Sequence, residues 1–133
     1  MVQNKVVIRY QDDRIMKGFT ADFLPNKDVF HLTPIDEPNA KTMEVRLGEL
    51  KALFFVKDPK GDPKHHESNI FDASKPPAGR KIKVTFKDGE TLVGTTQGYQ
   101  PNRPGFFVVP ADPKSNNERC FVITAATRTV AFV

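Results

Sequence analysis

The chain has 133 residues, of which 38% are hydrophobic, and its 11 Phe, 11 Pro and eight Gly are spread along its length. This composition fits one ordinary domain or two very small ones, favours strands over helices, and excludes a membrane-spanning apolar run. The single cysteine, Cys120, excludes an intramolecular disulfide. The first ten residues lack a basic-then-apolar signal region, which favours a cytoplasmic location.

The net charge of +4 and the isoelectric point of about 9.3 conceal an uneven distribution. Residues 5–56 hold eight basic and eight acidic side chains, whereas residues 81–133 hold seven basic and four acidic ones. Nucleic-acid binders usually carry a denser basic stripe than this. The charge therefore permits an anionic partner without requiring one, and we expect neither a membrane partner nor readout of duplex DNA.

Short runs of alternating apolar and polar residues, bounded by turn residues, fill the first part of the chain and predict five β-strands. The predicted strands cover 5–10, 15–23, 29–33, 43–47 and 51–56, with a single helical turn over 48–50. Gly18 lies inside the second strand, where it suits the bend of a small barrel that curves over itself. These residues predict a first barrel within 1–56.

Residues 57–80 break this pattern with four Pro, two Gly and mixed charges, which is typical of a linker. His65, His66 and Glu67 in this segment are the only cluster of metal-type ligands in the sequence. Adjacent side chains diverge, and no third His or Cys lies nearby in sequence, so we interpret the cluster as adventitious rather than as a metal site.

Residues 81–133 repeat the layout of the first part. Residues 81–112 share nine identities with residues 5–36, and the shared positions include turn residues, glycines and one strand face. The turn at Asp88-Gly89 is a strong hairpin signal and predicts a type I′ turn. The sequence therefore predicts an all-β fold of two tandem five-stranded barrels, Sm-like or SH3-like, produced by internal duplication.

The pattern Val84-x-Phe86-x-Asp88-Gly89, followed by Gly94, resembles the first half of the Sm motif. The base-binding Asp and Asn of the Sm loop and the Arg-Gly of the second Sm motif are not retained, so the resemblance implies the fold and not uridine recognition. The whole chain, including residues 112–119, also resembles an uncharacterised bacterial family of duplicated Sm-like barrels. That resemblance implies a fold and a bacterial cytoplasmic setting, with no activity attached.

Catalysis is not expected. Asp12 and Asp88 recur in both units, as do Asp36 and Asp112, but their positions favour turn formation over acid–base chemistry. The sequence has no Ser-His-Asp arrangement, phosphate-binding Gly loop or zinc-spaced Cys/His set. Cys120 has apolar neighbours and no evident base, so we interpret it as a strand thiol. We predict no catalytic residue, cofactor or metal.

Three loops carry the residues best suited to binding. These residues are Phe23, Asn26 and Lys27 in the first unit and Tyr99, Asn102, Arg103, Asn116, Asn117 and Arg119 in the second. An aromatic ring, an amide and a cation on one short loop suit base stacking and phosphate contact. The alternative interpretation, which we favour, is that Tyr99 and Phe23 are core residues at the end of a strand. For residues 116–119 we favour local capping and hydrogen bonding over binding of a partner.

These observations predict a non-catalytic binding or regulatory module that acts on another protein through its loops or barrel edges. The alternative is binding of RNA or single-stranded nucleic acid through the Pro-Asn-Lys/Arg loops, at Asn26-Lys27 and Asn102-Arg103. A third possibility is self-association through the apolar terminal strands, 51–56 and 128–133.

Overall fold

The computed structural model describes residues 4–35, 41–57, 79–100, 102–112 and 116–133, which form ten strands and two single-turn 3-10 helices. The strands are β1 (Asn4–Tyr10), β2 (Ile15–Thr20), β3 (Val29–Pro34), β4 (Met43–Arg46), β5 (Leu50–Val56), β6 (Arg80–Phe86), β7 (Thr91–Thr96), β8 (Gly105–Pro110), β9 (Asn117–Ile123) and β10 (Thr127–Phe132). The 3-10 turns are Leu47–Glu49 and Thr124–Ala126.

The strands form one antiparallel sheet in the order β10-β6-β7-β8-β9-β5-β1-β2-β3-β4. The prediction of an all-β fold is confirmed, and the predicted strands of the first part match the observed ones within a residue, with one exception. The second strand ends at Thr20, three residues earlier than predicted, because the chain leaves the ladder and carries Phe23 into a hydrophobic contact. Within the described ranges, no helix is long and apolar enough to cross a membrane.

The first half of the sheet (β1–β5) and the second half (β6–β10) have the same internal pairing. In each half the first strand lies between the second and the fifth, and the third strand lies between the second and the fourth. A Cβ atom on Gly18 would lie 2.2 Å from the Thr33 carbonyl oxygen, and one on Gly94 would lie 2.1 Å from that of Val109. Neither site has room for a side chain, so both halves require glycine where two backbones approach.

The β6–β7 connection corrects the predicted turn type. The Gly89 N–H donates to the Phe86 carbonyl (2.9 Å), and the Phe86 N–H donates to the Glu90 carbonyl (2.8 Å). A type I′ turn needs two successive residues with positive φ, but only Gly89 has one, at 91°. The type I′ prediction is therefore wrong, and the loop is a three-residue turn that ends in the left-handed region. Asp13, with φ of 73°, holds the same place between β1 and β2.

The two halves are joined where β9 pairs with β5. Leu53 lies opposite Phe121, and Phe54 lies opposite Cys120. We call this contact between β5 and β9, with the side chains packed against it, the joint. Because β1 covers the other side of β5, six of the seven β5 residues are buried. Buried hydrophobic residues of both halves form one contiguous cluster across the joint.

The strands at the two ends of the sheet are β10 and β4. Each pairs with one neighbour, β6 and β3 respectively, and no second strand pairs with either in the part of the chain that the structure describes. Most of the predicted linker, together with His65, His66 and Glu67, lies outside the described residues, as does Asp36.

Candidate functional site

Phe23, a predicted binding residue of the first unit, lies within an aromatic cluster at the joint. Its ring centroid is 5.4 Å from that of Phe30 and 5.7 Å from that of Phe55, both in the first half. Phe121 at 5.1 Å and Phe107 at 6.4 Å approach it from the second half, and all four contacts are edge-to-face. Aromatic pairs in this geometry contribute about 0.5–1.5 kcal/mol each beyond their buried area. Phe23 therefore helps to hold the halves together.

Arg119, Asn116 and Asn117, three further predicted residues, also lie at the joint. The Arg119 guanidinium carbon is 4.3 Å from the Phe55 ring centroid and 4.9 Å from that of Phe107, which is a cation–π arrangement spanning both halves. The Asn116 carbonyl accepts a hydrogen bond from the Lys57 N–H (2.9 Å), and Asn117 lies opposite Val56 in the ladder. Four of the nine predicted residues thus meet at one contact.

A group of ion pairs at the joint was not predicted. Lys51 on β5 donates to Asp88 (Nζ to Oδ2, 2.8 Å) and to Glu90 (Nζ to Oε2, 2.9 Å), and only 7% of its side chain is exposed. Arg9 also reaches Glu90, at 3.2 Å. The signal in the sequence that could have predicted these ion pairs is Lys51 itself, the single charged residue of an otherwise apolar strand. A lysine buried in such a strand needs a carboxylate partner.

The carboxyl groups of Asp12 and Asp88 close the two β-hairpin turns, which confirms the interpretation of these two residues as turn residues. Oδ1 of Asp88 accepts the Glu90 N–H (3.0 Å), and Oδ1 of Asp12 accepts the Arg14 N–H (3.1 Å). The hydrogen bond from Lys51 is the main cause that lowers the pKa of Asp88, and the backbone N–H of Arg14 is the main cause that lowers the pKa of Asp12.

A second aromatic group lies at the β10 end of the sheet. Tyr99 packs on Phe106 (4.7 Å between ring centroids) and on Phe132 (5.9 Å), at the strand positions that Phe23, Phe30 and Phe55 hold in the first half. The Arg80 guanidinium carbon lies 3.7 Å from the Phe132 ring centroid, and 41% of Phe132 is exposed. We call Arg80, Tyr99 and Phe132 the β10 patch.

The tips of the predicted loops are exposed and stabilised locally. The Arg103 Nε donates to the Gln100 side chain (2.7 Å), and the Arg103 carbonyl accepts the Thr124 hydroxyl (2.9 Å). Asn102 beside it is exposed, as are Asn26 and Lys27 at the corresponding turn of the first half. These four residues form no shared contact with the β10 patch among the interactions of the described residues.

The β4 end of the sheet is polar. Glu44 and Arg46 on β4 are exposed, 3.7 Å apart. Beside them on β3, the His31 Nδ1 lies 2.6 Å from Asp22 Oδ2, and the His31 N–H donates to Asp22 Oδ1 (2.9 Å). Partial burial disfavours ionisation of Asp22, but the hydrogen bonds from His31 and Thr20 outweigh it and lower its pKa. We call Asp22, His31, Glu44 and Arg46 the β4 patch.

The arrangement suits noncovalent contact at the two ends of the sheet. No group of three or more His, Cys, Asp and Glu side chains could hold a metal ion within residues 4–35, 41–57, 79–100, 102–112 and 116–133. Cys120 is buried in the second half, with no exposure at all.

The fold and these surfaces define an all-β protein built on one antiparallel sheet, with a basic aromatic patch at one end and a polar patch at the other. Over residues 2–133 the chain matches the model of a family of unknown function, DUF6982, and it belongs to that family. No curated protein and no solved structure matches it.

Proposed function

We propose that this protein is a non-catalytic module that binds other proteins through the ends of its sheet. The observation that carries the proposal is the β10 end, where the outer side of a strand lies next to a half-exposed aromatic patch. Strand edges bind extended segments through backbone hydrogen bonds, while neighbouring side-chain pockets give specificity. Tyr, Phe and Arg are also the residue types enriched where proteins contact each other.

The charged side chains at the joint support a structural role rather than a catalytic one. Lys51, Asp88, Glu90 and Arg9 pair with each other at 2.8–3.2 Å. Two hydrogen-bonded carboxylates thus fix the Lys51 ammonium between the halves, which is the arrangement of a structural ion pair rather than of a nucleophile beside its base.

We further propose that the two halves are Sm-like barrel repeats derived from a duplication, in a bacterial cytoplasmic protein. The matching strand pairings and the glycine required at the same place in each half support this. We also propose that the two repeats unfold as one cooperative unit, because they share the ladder between β5 and β9.

Site-specific photo-cross-linking in cells tests the binding function. A photoreactive amino acid in place of Phe132 is expected to trap protein adducts that withstand nuclease treatment. The matched control places the same group at Val109, which is 51% exposed on β8 and lies outside the patch. Equal adduct yields at both positions, or adducts at position 132 that nuclease removes, would overturn the proposal.

Nucleic-acid binding is the competing function, motivated by the excess of cations in residues 81–133. A nucleic-acid complex weakens steeply as salt rises, because counterions are released on binding. Retention of an RNA or single-stranded DNA pool at low salt, abolished by Arg103→Ala together with Lys27→Ala, would contradict protein binding as the main function. Under the proposal, these substitutions leave cross-linking at position 132 unchanged.

A further inference from the structure

The joint provides a template for a second contact of the same kind. It pairs β9, the fourth strand of the second half, with β5, the fifth strand of the first half. The two strands at the ends of the sheet are β4 and β10, which are the remaining fourth and fifth strands. Each chain therefore forms one contact between a fourth and a fifth strand internally. The remaining fourth strand and fifth strand lie at its two ends, where they can form a second such contact with other copies.

We propose that copies of this chain associate head to tail, with β10 of one copy pairing antiparallel with β4 of the next in the register of the joint. This deepens the proposed function, on which it rests, by naming a second copy as the partner. In the joint, Leu53 lies opposite Phe121 and Ala52 lies opposite Val122. The residues at the corresponding positions place Val130 opposite Glu44, and Thr129 opposite Val45.

The backbone groups on the outer sides of β10 and β4 fit this register. Along an antiparallel strand, the N–H and C=O groups of successive residues point alternately to the two sides. The Val133 N–H donates to Lys81 on β6 (3.1 Å), so the backbone groups of Val130 point to the outer side of β10. The Leu47 N–H donates to Asp28 (2.9 Å), so those of Glu44 point to the outer side of β4. Val130 and Glu44 can therefore exchange two hydrogen bonds.

The same alternation holds at the joint itself. The Lys57 N–H donates to the Asn116 carbonyl (2.9 Å), which directs the backbone groups of Leu53 toward β9. The Thr124 N–H donates to the Pro104 carbonyl (2.9 Å), which directs those of Phe121 toward β5. The donor and acceptor pattern of the proposed contact thus repeats one that the chain already forms.

The charges at the two ends favour pairing of β10 with β4 over pairing of β10 with a second β10. The β4 patch brings the carboxylates of Glu44 and Asp22 together with Arg46, whereas β10 and its patch bring Arg128 and Arg80 and no acidic residue. Exposed charges on an edge strand disfavour pairing with an identical edge, so two β10 strands repel, whereas the carboxylates of the β4 patch attract β10. Glu44 replaces the buried Phe121 of the joint, so the contact between copies is weaker than the joint and sensitive to salt.

A head-to-tail contact leaves the same two ends after each addition. Such heterologous contacts close into rings when the rotation between neighbours permits it and otherwise extend as filaments. Light scattering on the purified full chain is expected to give masses that rise with concentration in multiples of 15.0 kDa and fall as salt is added. A mass that stays at 15.0 kDa at the highest attainable concentration in low salt would overturn the proposal.

Paired cysteines test the register directly. With Glu44→Cys and Val130→Cys in one chain, the opposed Cα atoms of neighbouring copies would lie about 5.5 Å apart, within the reach of a disulfide. Mild oxidation is expected to give a ladder of covalent oligomers. The control, Arg46→Cys with Val130→Cys, shifts one cysteine by two residues to roughly 9 Å, beyond that reach. Ladders of equal yield in both variants would overturn the register. The native Cys120 is buried and stays in both.

The two proposals fail differently. Photo-cross-links at position 132 that contain other proteins, from a chain that stays at 15.0 kDa when purified, remove the self-association and leave the binding function. Cross-links that contain only nucleic acid remove the binding function itself, whatever mass the purified chain shows.

Discussion

β5 and β10 hold the same place in their halves, yet β5 lies between two strands and β10 ends the sheet. Leu53 and Ala52 on β5 are fully buried, whereas Val130 is half-buried and Thr129 is exposed at the corresponding positions of β10. The covered strand is almost entirely apolar, and the end strand has smaller or more polar residues. The fifth strand of a half can thus lie inside the sheet or at its end, and its side chains are apolar where a second strand pairs with it and more polar where none does.

β9 and β4 show the same difference on one face only. Phe121 and Ile123 on β9 are buried, Phe121 against Phe23 of the first half, and the corresponding residues of β4, Glu44 and Arg46, are exposed. The opposite face is shared, because Val122 and Val45 are both buried. The halves agree where each packs against its own core and differ where a neighbouring half is present or absent.

Placing the β4 residue at the corresponding position of β9 should have the largest effect on stability, because that position is buried in the joint. Phe121→Glu buries a carboxylate among Phe23 and Phe107 and removes an aromatic side chain that is 1% exposed. We expect a loss of about 4 kcal/mol or more in the free energy of unfolding, measured by urea denaturation. Phe121→Leu keeps the site apolar and serves as the control. Equal losses for Leu and Glu would show that the site is not sealed from water.

Removing the ion pairs of the joint is expected to cause the next largest loss in the free energy of unfolding. Asp88→Asn with Glu90→Gln leaves Lys51 buried and charged without an anionic partner, which should cost about 3 kcal/mol. Lys51→Met keeps the stem and removes the charge, and its half-exposed partners can be rehydrated, so we expect about 1 kcal/mol. Denaturation of the two variants tests this order. A larger loss for Lys51→Met would contradict it.

The glycine common to both halves gives a third test. Gly94→Ala would place a methyl group 2.1 Å from the Val109 carbonyl oxygen, so we expect β7 and β8 to separate at a cost of about 2 kcal/mol. Gly48→Ala is the matched control, because nothing lies within 4 Å of its added Cβ. Thermal denaturation measures both variants. If their stabilities agree within error, the backbone around position 94 accommodates the methyl group without cost, contrary to this prediction.

Acid should weaken the joint through Asp88, whose pKa the hydrogen bond from Lys51 lowers. A carboxyl with a lowered folded-state pKa stabilises the fold above its unfolded-state pKa, and this contribution disappears as the pH falls through the lower value. We expect wild type to lose stability below pH ~4 and Asp88→Asn to lose less, by under about 1 kcal/mol because the carboxyl is half-exposed. Urea denaturation between pH 7 and pH 3 measures this, with Asp13→Asn as the carboxyl-to-amide control.

Placing the β9 residue at the corresponding position of β4 should have the smallest effect on stability, but it should change the association of copies measurably. Glu44→Phe adds an apolar side chain at an exposed position, so we expect a change within about 0.5 kcal/mol in the free energy of unfolding. Because it restores the residue type of the joint, association of copies should strengthen. An unchanged mass by light scattering would show that β4 does not pair with another copy in the way that β9 pairs with β5.

The sequence predicts the elements within each half because their determinants are local. Gly18, Gly94 and the Asp88-Gly89 turn act on their immediate surroundings, and the alternating apolar residues define one face of each strand. The all-β class and nearly all strand bounds of the first part follow from these signals. The turn type did not follow, because the same Asp-Gly pair suits two turn geometries that differ in loop length.

The joint could not be predicted in this way, since it depends on residues about 65 positions apart. The sequence favours a core position for Phe23 and a loop position for Arg119, but nothing near either residue in sequence reveals that Phe55 lies under both. The apolar run of β5 suggests a surface for self-association, but β9 pairs with this strand within the chain. Long-range strand pairing is what separates a binding residue from a packing residue here.

The distance in sequence between β5 and β9 also bears on how the protein is made. About 60 residues lie between Val56 and Asn117, so a ribosome adding about 5–20 residues per second completes β5 several seconds before β9. During that interval the nascent first half exposes the side of β5 that β9 later covers. The nascent chain can therefore aggregate through this side of β5 until β9, in about the last eighth of the chain, emerges.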